Sequence, residues 1–91
     1  MNPKDKLMYL LEHYYSGEYV TNIFVDEFYR IYNFEVDDSD LNQEELTLFG
    51  ELFTIVGRYS SFEDDLKIPN AYFSETDVKK KATEVYLKLN G

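Results

Sequence analysis

The 91-residue chain has no cysteine, no tryptophan, a single histidine, two prolines and four glycines. Lack of cysteine rules out a disulfide framework and a thiolate zinc site, and it fits a cytoplasmic protein. No apolar run approaches the roughly 20 residues that span a bilayer. The opening Met1-Asn2-Pro3-Lys4-Asp5-Lys6 has no signal-peptide apolar region, so no membrane role is expected and the cytoplasm is the expected location. Basic residues are also scarce. Nine Lys and Arg stand against 18 Asp and Glu, for a net charge of −9.

The imbalance is local. From Glu12 to Asp65 there are 14 acidic residues, and the only basic ones are Arg30 and Arg58. Both flanking segments carry a small positive excess. Neutralising phosphates takes clustered Lys and Arg, so direct nucleic-acid binding is not expected. A basic partner protein is, because opposite fields steer encounter. Acidity that simply keeps a small protein soluble is the plainer alternative.

What the chain has in quantity is apolar and aromatic: 44% hydrophobic, with nine Tyr and seven Phe. Such a chain folds, and its length allows one domain over residues 1–91 with one modest core. Four stretches repeat at the helical period. Leu7, Leu10, Leu11 and Tyr14 follow Asn2-Pro3, and Ser16-Gly17 ends that stretch. Phe24, Phe28 and Ile31 follow Thr21, with Val25, Tyr29 and Tyr32 on the adjacent row.

Asn42 with Glu45 forms a capping-box pattern. The stretch behind it is apolar almost all round, through Leu46, Leu48, Phe49, Leu52, Phe53, Ile55, Val56 and Tyr59. It reads as the central helix. Gly50 and Gly57 lie on one face of it, where another helix or a partner is expected to come close. Residues 60–73 read as a long connection. Ser74 with Asp77 opens the last helix, whose buried row is Val78, Ala82, Val85 and Leu89. Asp77–Lys81 and Glu84–Lys88 are spaced for i, i+4 ion pairs, and Asn90-Gly91 supplies C-cap chemistry. No stretch alternates like a strand. The expected fold is all-α, an antiparallel four-helix bundle.

Catalysis is not expected, and no cofactor is implied. A nucleophile needs a paired base, and His13, next to Tyr14, reads as a surface or structural residue. The carboxylates fall in exposed-looking runs without an apolar pocket to separate their pKa values. Asp38, Asp40 and Asn42 sit at calcium-loop spacing, but Gln43 and Phe49 stand where that loop needs Gly and Glu. No metal site is expected. Asp38-Ser39-Asp40-Leu41 resembles the phosphopantetheine site of acyl carrier proteins, with Asp40 where that family has Leu. A small carrier modified on Ser39 is therefore one alternative, and a generic acidic adaptor is another.

Glu51-Leu52-Phe53, then Arg58-Tyr59-Ser60, an acidic turn and a capped last helix resemble the colicin D immunity family across most of the chain. The sharpest part is Glu-Leu-Phe-x-x-x-x-Arg-Tyr. The resemblance implies a protein that covers the basic active site of a tRNA-cleaving toxin domain with an acidic face. It places the inhibitory acids at the end of the third helix and the turn after it, here Glu63, Asp64 and Asp65. Gly57 stands where the family pattern can carry an acid, so a different toxin remains open.

The expected partner-binding residues are Arg58, Tyr59, Glu63, Asp64 and Asp65, with a second cluster at Asp37, Asp38, Asp40, Glu44 and Glu45. Tyr59 is either an aromatic anchor or a plug for the bundle end. A third helix of roughly 27 Å, at 1.5 Å per residue, keeps the two clusters from sharing one small contact. The cluster beside Tyr59 is the favoured one.

Overall fold

A computed structural model describes residues 2–90, except for the side chain of Asp38. Gly91 and the Asp38 side chain, expected in a C-cap and in an acidic cluster respectively, lie outside the described residues. The fold is all-α, with no strand among the described residues.

Asn2 and Pro3 start helix α1 (Pro3–Tyr15), where the Asn2 side-chain oxygen accepts the Asp5 N–H at 2.8 Å. Gly17 ends it at φ +88°, a left-handed conformation open to glycine without strain. Helix α2 (Thr21–Phe34) has no side-chain cap. The Thr21 hydroxyl is instead spent on the buried Tyr14 hydroxyl, 2.8 Å away. A 3-10 turn at Asp38–Asp40 precedes α3 (Gln43–Val56), which carries both bonds of the Asn42–Glu45 capping box. Ser74 and Asp77 cap α5 (Glu75–Asn90) in the same reciprocal way.

The core joins the expected rows. Leu7 and Leu11 of α1, Phe24 and Phe28 of α2, Phe49 and Leu52 of α3, and Val78 and Val85 of α5 are fully buried. Each is worth about 1.5–3 kcal/mol of burial. Aromatic rings run through it: Tyr14 stacks on Phe24 at 4.2 Å, and Tyr29 and Tyr32 flank Phe53 at 4.9 and 4.7 Å. The main helix contacts are α1–α2, α1–α5, α2–α3, α3–α5 and α2–α5.

Several expectations need correction. Helix α3 is not central, since its main neighbours are α2 and α5 only, whereas α5 also lies on α1. It stops at Val56, with Gly57 as C-cap, so it spans about 21 Å rather than reaching Tyr59. Gly57 is therefore not a helix-interior glycine. At Gly50 the close approach exists, but as the Tyr32 hydroxyl, 3.4 Å from where a Cβ would stand. The 60–73 connection holds a single helical turn, α4 (Glu63–Leu66). Asp77 is occupied by its cap, and Lys81 reaches Glu51 and Glu84 at 2.6 Å each. Burial weighs against its charge, but the two carboxylates outweigh that and raise its pKa.

Candidate interaction surface

Residues 60–73 form a loop closed at its base. Ser60 N–H donates to Phe73 O at 3.0 Å and Phe73 N–H to Arg58 O at 2.8 Å, the arrangement of a compact surface loop with adjoining ends. Inside it the buried Ser60 hydroxyl donates to Asp65 at 2.7 Å and accepts the Phe62 N–H. Three acids in its first turn favour α4 by facing the positive end of the helix.

This loop lifts apolar side chains into solvent. Phe62 is 70% exposed, Ile68 50%, Tyr72 43% and Leu66 38%. Glu63 and Asp64 are exposed beside them, and Lys67 lies 3.8 Å from Asp64. A groove of about 410 Å³ separates the loop from α2, lined by Asn22, Asp26, Tyr59, Phe62, Asp65 and Tyr72 among others. Tyr59, half-buried, lines it and donates to Asn22 Oδ1 at 2.6 Å. Burial, then the nearby Glu75 charge, raises its pKa. The ring packs in part against the core, as the plug alternative requires, and also lines the groove. Arg58 is exposed, without an ion pair among the described residues.

The second cluster behaves differently. Glu45 is 6% exposed, returns the Asn42 capping bond, and pairs with Lys4 at 2.8 Å. Burial opposes its ionisation, but Lys4 and the Asn42 N–H prevail and hold its carboxyl below the ordinary 4.5. Asp40 accepts the Asp37 N–H at 2.8 Å. Glu44 is exposed in the first turn of α3, and Ser39 is exposed within the 3-10 turn. Glu35 is taken up by Lys6 and Arg30 at 2.6 and 2.8 Å. The Lys6 hydrogen bond lowers its pKa. Charge counting along the chain thus overstated the acidity on this side, because Lys4 and Lys6 of α1 fold back onto it.

Asn22 and Asp26 were missed. Both are exposed and four apart on α2, which puts them on one polar face. That spacing was the available signal, but nothing local ties it to Tyr59. Among the described residues no group of acids and histidine is placed to hold a metal, and no helix is long and apolar enough to cross a membrane. His13 pairs with Glu18 and lies 4.0 Å from the Tyr9 ring. A cleft of about 340 Å³ at the α1–α2 turn contains Glu75, but Lys79 neutralises it at 3.2 Å.

Within the motif that carries the family resemblance, Leu52 is core, Phe53 packs on α2, and Glu51 holds Lys81. Arg58 and Glu51 are the exposed members, and Glu51 is engaged by Lys81. No known protein family, curated protein or solved structure matches the chain.

Proposed function

We propose that this chain is a non-enzymatic inhibitor of the immunity-protein type. It binds the basic nuclease domain of a cognate toxin, of the tRNA-cleaving kind, and covers its active site with the acidic, aromatic face of the 60–73 loop. The reading includes a cytoplasmic location and an antiparallel four-helix bundle of α1, α2, α3 and α5 as scaffold. Lys6 against Glu35, with Tyr14 against Thr21, supports an antiparallel α1–α2 pair. Tyr59 against Asn22 supports the same for α2–α3.

The carrying observation is the exposure of Phe62, Leu66, Ile68 and Tyr72 on a loop pinned at both ends, beside Glu63, which has no ion pair among the described residues. Exposed apolar side chains rimmed by charge of one sign mark interaction surfaces. A pinned loop loses little entropy on docking. An acidic rim fits a cleft built for phosphates.

The test is co-expression with the basic C-terminal domain of a secreted protein encoded beside this chain. The wild-type chain is expected to restore growth. Glu63→Lys with Asp64→Lys is expected to abolish protection while leaving overall helicity intact, since both side chains are exposed on the single turn α4, outside the four long helices. Full protection by that variant would remove this surface from the reading, and no rescue by the wild-type chain would remove the toxin.

A further inference from the structure

We infer that the groove between α2 and the 60–73 loop receives one arginine side chain of the protein partner, an inference that rests on the loop being a partner-binding surface. Its walls are aromatic, from Tyr59, Phe62 and Tyr72, and its charged lining groups are Asp26 and Asp65, with no cation among the lining residues. Asp26 has no hydrogen bond or ion pair among the described residues. Its neighbour Glu27, by contrast, is taken by Arg30 at 2.6 Å. Asp65 spends Oδ2 on Ser60, which leaves Oδ1 for an incoming donor. Tyr59, its pKa raised, keeps its proton on Asn22 at neutral pH, so the groove's charge is carried by the two carboxylates.

This combination selects among side chains. An anion is repelled. A neutral apolar group would cover two carboxylates without satisfying them. Lysine brings a compact, strongly hydrated charge that loses more on entering an aromatic slot. A guanidinium is weakly hydrated, stacks flat on aromatic rings and presents several donors to carboxylates. The volume, about 410 Å³, lies within the roughly 300–1,000 Å³ of ordinary ligand clefts.

Backbone-amide NMR of the full chain during titration with the peptide Gly-Gly-Arg-Gly-Gly tests this, with citrulline or lysine replacing arginine in parallel. The arginine peptide is expected to shift the amides of Asn22, Asp26, Phe62, Asp65 and Tyr72. Binding is expected to be about tenfold weaker for citrulline, with lysine between. Asp26→Asn, an exposed change that keeps the fold, should weaken the arginine peptide to the citrulline level, and Phe62→Ala should erase the preference over lysine. Equal binding of arginine and citrulline overturns the inference, as do shifts spread evenly to Glu12 and Glu44, or an unaffected Asp26→Asn. A chain that takes the arginine peptide but rescues no host keeps this site and loses the toxin reading. One that rescues the host yet ignores the arginine peptide loses this site alone.

Discussion

The two acidic regions at the ends of α3 look alike in sequence and differ in what their carboxylates do. Before α3, Glu45 closes a cap and neutralises Lys4, and Asp40 holds the Asp37 backbone. After α3, Glu63 and Asp64 hold nothing tightly and share their loop with four exposed apolar side chains. Glu45 and Asp40 are part of the fold, whereas Glu63 and Asp64 are available to something else. Equal charge along a chain is thus no guide to equal availability; what separates the two is whether a cation or an N–H folds back to meet them.

Tyr59 gives the largest expected effect, because it sits in the available region but belongs to the fold. Removing its ring by Tyr59→Ala is expected to cost about 2 kcal/mol, less than a fully buried aromatic because it is half-exposed. Tyr59→Phe, which loses only the bond to Asn22, should cost about 0.5–1 kcal/mol. Urea denaturation measures both. A Tyr59→Ala chain as stable as wild type would make Tyr59 a surface anchor instead of a plug.

Next comes Glu45. Glu45→Ala removes the return bond of the cap and the partner of Lys4, an expected loss of about 1–1.5 kcal/mol. At this size each kcal/mol lowers the melting temperature by about 4–8 °C. Acid titration separates the charge from the cap. The Glu45 and Glu35 pKa values are both lowered on folding, so the native state binds fewer protons than the unfolded one. Their stabilisation is complete above the ordinary carboxylate value near 4.5. It is lost as pH falls through the lower folded values. Glu45→Gln can keep the capping geometry, and it should flatten the acid limb of a stability-against-pH curve. An unchanged limb would mean that Lys4 contributes nothing.

Much of the scaffold was legible because it is written locally. Asn2-Pro3, Asn42 with Glu45, and Ser74 with Asp77 start their helices as side-chain chemistry requires, and the rows through Phe24 and Phe28 or Val78 and Val85 are buried as their period implies. The end of α3 was misread because the apolar row runs on to Tyr59, while Gly57, the stop signal, was taken for a packing feature. Helix α4 is one turn long and shows no period. Of the candidate surface, the exposure of Glu63 and Asp64 was legible, but their setting depends on contacts between distant residues. Tyr59 meets Asn22 across 37 positions, and Lys4 meets Glu45 from another helix; neither pairing leaves a trace in spacing.

The smallest expected effect bears hardest on the comparison. Glu63→Ala and Asp64→Ala should each change stability by less than about 0.5 kcal/mol, the range of surface positions without a structural partner. The ion pair of Lys67 with Asp64 joins side chains 75% and 97% exposed at 3.8 Å, and such pairs contribute little. A loss above about 1 kcal/mol at either position would place these acids with Glu45, in the service of the fold. A near-zero change, together with lost protection in the charge-reversed pair, would mean that the loop carries its acids for a partner.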